Sequence, residues 1–94
     1  MAGFKLGKLV MTRSVHSKIK EDVDFAIGIL ESFERYRRCD FGDLCDEDKA
    51  LNEQALTDTD GGRIFAVYAC GNDKIWIITE HDRSVTTILL PEEY

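Results

Sequence analysis

The spacing of apolar side chains changes period along this chain, and each change marks an element. In FKLGKLVMT, residues 4–12, Phe4, Leu6 and, after an interruption at Gly7, Leu9 and Met11 stand among lysines, which predicts a short opening strand. From Val15 the period becomes helical: Val15, Ile19, Val23, Ala26, Ile27, Leu30 and Phe33 recur at helical spacing, with Lys18, Glu21, Asp22, Glu31, Glu34 and Arg35 between them. This predicts a main helix running to about Arg38 with those residues as its apolar stripe. Thr12 or Ser14 can cap its start, and Arg35, Arg37 and Arg38 complement the dipole at its end. A break near Asp22 or Asp24 would divide it into a short helix and a long one. Gly28 costs about 1 kcal/mol relative to alanine in a helix interior, which close packing against another backbone would explain.

CDFGDLC, residues 39–45, is a turn rich in Asp and Gly, and DEDKALNEQAL after it reads as a further helix of about ten residues. Asp46 is a good N-cap, and Glu47 and Asp48 suit the positive end of that helix. Its apolar face is thin, only Ala50, Leu51, Ala55 and Leu56, so the helix should lie on the surface. TDTDGG, 57–62, reads as a loop. Three strand-like runs follow: Arg63 to Cys70, Lys74 to Glu80 after the turn Gly71-Asn72-Asp73, and Ser84 to Leu90 after the charged tip Glu80-His81-Asp82-Arg83, with Pro91 ending the last. The order gives an α+β fold in one domain, 1–94: an N-terminal strand, two to three helices, then a three-stranded antiparallel meander, with helices on one face of the sheet.

That order has a consequence for the central strand. Ile75 and Ile77 point to one face and Trp76 and Ile78 to the other, so both faces are apolar while the helices suffice to cover one. These four residues therefore mark a candidate interaction surface, and a two-fold homodimer is the expected way of covering the outward pair.

Composition narrows the function classes. The 94 residues are 44% hydrophobic, enough for one core without metal or disulfide, and Cys39, Cys45 and Cys70 cannot all pair and lack CxxC spacing, so they read as reduced thiols. No apolar run approaches the roughly 20 residues of a membrane helix, and MAGFKLGK is not a signal peptide, so a cytoplasmic protein without membrane contact is expected. The net charge of −6 is uneven: residues 1–38 carry +3, 39–60 carry −7 and 61–94 carry −2. An acidic chain repels nucleic acid unless its basic residues gather on one face, for which Lys18, Lys20, Arg35, Arg37 and Arg38 are the candidates. Asp43, Asp46, Glu47, Asp48 and Glu53 form a candidate acidic surface, suited to a basic partner or to solubility.

Catalytic chemistry has few footholds. Glu80, His81, Asp82 and Arg83 are the densest cluster, but alternate pointing in a hairpin scatters neighbours, and the four read as a turn or a polar contact. Asp58-Thr59-Asp60-Gly61 begins like a calcium loop yet lacks its later ligands, and Glu47-x-Lys49 near Asp40 and Asp43 resembles a nuclease metal motif only in fragment. With two histidines and no clustered thiols, neither metal nor cofactor is expected. Strand, helices and three strands also form the topology of small RelE/ParE-type toxins, whose RNA-cleaving members are basic; here Arg63, Tyr68, Lys74 and Arg83 sit in an acidic segment, so the analogy extends to fold.

GKLVMTR at 7–13, GDLCDEDK at 42–49, KIWIITEHDRS and TTILLPEEY at 74–94 resemble together a family of small bacterial "plasmid-related" proteins of plasmids and integrated mobile elements. The chain differs from that pattern at Cys39 and Phe41, where the family has Gly and Trp. The resemblance implies a bacterial cytoplasm and an accessory role for a mobile element, and carries no catalytic residues. Together these readings lead to a non-enzymatic protein-binding protein, acting on an unidentified host or element-encoded partner. In its more specific version the acidic segment imitates nucleic acid and inhibits a host DNA-binding or defence protein. A toxin or ribonuclease and a basic-helix DNA binder are the alternatives.

Overall fold

The computed structural model describes residues 4–57 and 62–94. They form β1 (Lys8–Met11), α1 (Arg13–Glu21), α2 (Val23–Arg37), α3 (Asp46–Thr57), β2 (Ile64–Cys70), β3 (Asp73–Thr79), β4 (Val85–Leu89) and a closing 3-10 turn, Pro91–Glu93. The expected α+β order is therefore present. β2, β3 and β4 make the antiparallel meander, and β1 joins it in parallel beside β4, giving a mixed sheet of order β1-β4-β3-β2. The loop 57–62, including the calcium-like Asp58-Thr59-Asp60-Gly61, falls largely outside the described residues.

The main helix breaks at Asp22, and the break resets which side faces the core. Asp22 leaves the helical region at φ −134, donates its N–H to Lys18 O to close α1, and accepts from Phe25 N at 3.1 Å to open α2. Thr12 caps α1 by accepting from Val15 N. In α2 the buried positions are Phe25, Ile29, Ser32 and Tyr36, whereas Val23, Ile27 and Leu30 are exposed. The single stripe expected from Val15 to Phe33 is thus corrected: two helices at different angles cannot share one continuous face.

α2 ends in a Schellman motif. Asp40 N–H reaches Arg35 O at 2.9 Å and Cys39 N–H reaches Tyr36 O at 3.0 Å, with Cys39 in the left-handed region at φ 64. Glycine adopts that region without strain, and here a cysteine is held in it by the two bonds of the motif. The motif turns the chain back so that Arg35 holds the Asp40 carboxylate at 2.8 and 3.2 Å, Phe41 enters the core, and Gly42 bridges to Val67 on the outer edge of β2. Arg35 keeps the Asp40 carboxyl below its usual range through that hydrogen bond.

α1 and α2 cover the sheet face carrying Ile64, Ala66, Tyr68, Ile75, Ile77 and Ile88. Gly28 lies against β2, where a Cβ would stand 2.9 Å from Cys70 Cβ. Alanine at 28 gains about 1 kcal/mol of helix propensity, but overpacking against a strand costs roughly 1–3 kcal/mol. Gly28→Ala is therefore expected to lower the urea midpoint; a raised midpoint would show that the strand yields freely. Polar groups in this layer are paired: Tyr36 Oη donates to Ile64 O and lies 2.7 Å from Thr79 Oγ1, which meets Thr86 Oγ1 at 2.7 Å, and Thr86 donates to Leu6 O. Burial pushes the Tyr36 phenol well above its ordinary value, so it stays a donor.

α3 does not lie on the helix-covered face. It runs along the free edge of β2, and fully buried Asn52 donates to Phe65 O at 2.6 Å and accepts from Phe65 N at 3.2 Å. One side chain thus pairs the edge at Phe65, as Phe41 O and Asp43 N–H pair it at Val67. Asp46 is the first helical residue rather than the cap, with Lys49 N–H bonded to Cys45 O.

Candidate functional site

The second sheet face carries Phe65 and Val67 from β2, Trp76 and Ile78 from β3 and Leu89 from β4, because these alternate with the residues under α2. α3 stands at one side of this face, and the C-terminal turn brings Tyr94 over Trp76, ring centroids 4.8 Å apart at 42°. The Phe65 ring centroid lies 6.3 Å from that of Trp76. Between them runs an open groove of about 690 Å³, floored by Phe65, Trp76 and Ile78, walled by Leu51, Gln54 and Ala55 of α3 and by Tyr94, with Asp48 and Arg63 at the rim. That volume falls in the range of sites that hold a small molecule or a few side chains of a peptide.

Of the four residues expected at an interaction surface, Ile75 and Ile77 are fully buried under the helices and belong to the core. Ile78 is enclosed within its own chain at 5% exposure, while half-buried Trp76 contributes surface. Alternation had already assigned the two pairs to opposite faces; what it could not reveal is that α3 and Tyr94 partly enclose the outer one. Phe65, Leu51 and Tyr94 were missed because their meeting with Trp76 depends on the position of α3 and the C-terminal turn, which leave no periodic trace.

The charged tip forms a turn whose side chains serve the chain itself. Glu80 N–H reaches Val85 O and Arg83 N–H reaches Glu80 O, each at 2.9 Å, and Asp82 Oδ1 accepts from both the N–H and the hydroxyl of Ser84. Those bonds hold the Asp82 carboxyl below its usual range. Arg83, in the left-handed region at φ 60, donates to Ala55 O at 2.9 Å, Gly62 O at 3.0 Å, Glu80 O at 3.1 Å and His81 O at 3.3 Å. Its guanidinium thereby ties the hairpin to the end of α3 and positions Ala55 and Gly62, both of which line the groove. His81 is exposed, and Glu80 lies 3.7 Å from Arg63.

No family model matches the chain, and no curated protein or solved structure matches it.

The remaining candidates separate in space. Asp46, Glu47 and Asp48 occupy the first turn of α3, where they suit the helix dipole, and of the expected acidic surface Asp48 reaches the groove while Asp43, Asp46, Glu47 and Glu53 face solvent. Tyr68, considered for toxin chemistry, is buried, with its phenol raised by burial and donated to Asp40 O at 2.6 Å. Arg63, Lys74 and Arg83 do not converge on it: Arg63 faces Glu80, Lys74 is exposed, and Arg83 holds carbonyls. Among the basic-helix candidates, Lys18 pairs with Asp73, Arg35 with Asp40 and Arg37 with Glu34. Among the described residues no three His, Cys, Asp or Glu side chains come close enough to hold a metal ion, and no helix is long and apolar enough to cross a membrane.

Proposed function

We propose that this chain is a non-catalytic binding protein that seats an apolar or aromatic segment of a partner protein in the groove between α3 and the outer sheet face. The observation that carries the reading is the groove itself, where Phe65, Trp76 and Tyr94 present aromatic surface beside exposed Leu51. Aromatic side chains of this kind dominate the energetics of protein interfaces. The first turn of α3 places Asp48 at the groove rim, with Asp46 and Glu47 exposed to solvent on the same turn, so the favoured segment carries a basic residue beside its apolar ones. Such a segment fits a nucleic-acid-binding protein of the host. The resemblance to plasmid-related proteins supports the same setting: a bacterial cytoplasm and a mobile element that blunts or regulates its host.

Trp76 is the only tryptophan of the chain, so its fluorescence reports the groove directly. Affinity purification from the native host with wild-type chain and with Leu51→Lys should recover a protein with the first and lose it with the second. A titration of that protein should shift the Trp76 emission. Leu51 is 57% exposed, so the variant keeps its fold. Undiminished recovery by Leu51→Lys, with Trp76 emission unmoved, would overturn the reading.

A further inference from the structure

We propose that the closing turn is a strap over the groove: Tyr94 covers Trp76 until a partner's side chain takes its place there, and Glu93 is the clasp that holds it. The inference rests on the groove being a partner's seat, and adds the device that guards it. Leu89 is buried and Leu90 packs against the core, so the chain is anchored that far. Beyond Leu90 the described residues show light tethers. Leu90 N–H donates to Glu93 Oε1 at 2.9 Å, the Thr12 hydroxyl donates to the same oxygen at 2.8 Å, Glu93 N–H reaches Leu90 O at 2.9 Å and Tyr94 N–H reaches Pro91 O at 3.3 Å. Of these bonds, the one from Thr12 ties the turn to the rest of the fold. The Leu90 N–H first, then the Thr12 and Ser14 hydroxyls, hold the Glu93 carboxyl below its usual range.

The other members of the groove are fixed in a way that Tyr94 is not. Phe65, Trp76 and Ile78 stand on paired strands, and Leu51 stands on α3, which Asn52 bonds to β2 and Arg83 bonds to the hairpin tip. Tyr94 is 67% exposed although its ring centroid lies 4.8 Å from that of Trp76, so most of its surface is in water whether or not it rests on the indole. Leaving costs it one aromatic contact. The clasp is also exposed, and hydrogen bonds within reach of water are exchanged for bonds to water at small net cost. A side chain that stacks on the covered part of Trp76 must first displace Tyr94, and its own contact then replaces the one broken. Binding and opening are therefore coupled: whatever populates the open strap tightens binding in proportion.

Acrylamide quenching of Trp76 reads the strap in the free protein. Tyr94→Ser and Glu93→Ala should each raise the quenching constant, and the double variant should raise it no further than Tyr94→Ser alone. Glu93→Gln, whose amide oxygen still accepts both bonds, should stay near wild type. The thermal melt should hold in all of them, because both side chains are exposed. Nile red, a neutral apolar dye, should bind Tyr94→Ser about three to ten times more tightly than wild type, the factor that one aromatic pair is worth, and Leu51→Lys should weaken its binding in both backgrounds. Unchanged quenching in Glu93→Ala removes the clasp and overturns the proposal. Equal or weaker uptake of the dye by Tyr94→Ser also overturns it, since Tyr94 is then a fixed wall. The groove reading fails separately, by undiminished recovery of a partner with Leu51→Lys.

Discussion

Gly42→Ala is expected to destabilise this protein by roughly 3–5 kcal/mol, enough to unfold much of the population of a domain this size. Two effects add. Gly42 has φ +71, a left-handed conformation that costs an L-residue about 1–2 kcal/mol. An added Cβ would also lie 2.1 Å from Val67 O and 2.8 Å from the Tyr68 ring. Those atoms belong to β2, which is anchored in the core, so it is the 40–43 segment that must move. Moving it breaks Asp43 N–H to Val67 O at 2.9 Å and Tyr68 Oη to Asp40 O at 2.6 Å, and withdraws Phe41 from the core. In urea the midpoint should fall by about 2 M, at the slope usual for a small domain. Circular dichroism and Trp76 fluorescence would follow it. A midpoint within error of wild type would mean that the segment can leave β2 at little cost, and that the edge is covered by Asn52 alone.

The same segment shows where the sequence is legible and where it stops being so. Asp and Gly in CDFGDLC mark a turn, and it is one. That Gly42 pairs with β2 is a contact between residues 25 apart, for which a local pattern holds no signal. The strands of the meander were readable because Ile64 to Cys70 and Asp73 to Thr79 alternate or are β-branched and meet at a two-residue turn. The parallel pairing of β1 with β4 was not, since it depends on both ends of the chain returning to one place.

The helices show a subtler limit. Existence and length were legible; phase was not. Val23, Ile27 and Leu30 form the more apolar row of α2 and drew the expectation of a core face, while the buried row contains Ser32, which dilutes it. Ser32 is tolerated there because its hydroxyl meets Cys70 Sγ at 3.5 Å. Asp22 decides between the two rows by ending α1, and its effect on rotation is geometric rather than compositional. The groove was half legible for a related reason. Trp76 stood out as the outward aromatic of a two-faced strand, whereas its walls come from α3 and Tyr94, whose positions follow from Asn52, Arg83 and the C-terminal turn.

Asn52→Ala should cost about 2–4 kcal/mol, because it leaves both the N–H and the C=O of Phe65 without their partner at a partly buried edge. The loss should extend beyond stability. With Asn52 gone, α3 keeps the Arg83 tie at Ala55 O but loses its bonds to β2, the wall that carries Leu51 loosens, and the edge at Phe65 becomes a template for another strand. Light scattering during refolding should therefore rise along with the drop in urea midpoint. Asn52→Asp separates the hydrogen bonds from simple packing, since the two side chains are nearly the same size. An ionised carboxylate still accepts from Phe65 N but offers no donor to Phe65 O and sets a buried charge against that carbonyl. Burial then raises its folded pKa above the unfolded value of about 3.9, so the folded state binds more protons than the unfolded state between the two values. Stability relative to wild type is lost as pH rises through that window and recovered as pH falls toward about 4, where the protonated acid can donate as the amide does. Melts of the variant and wild type compared at about pH 7 and pH 4.5 measure this. If the deficit is equal at both, the donor to Phe65 O is not what holds α3 to the sheet.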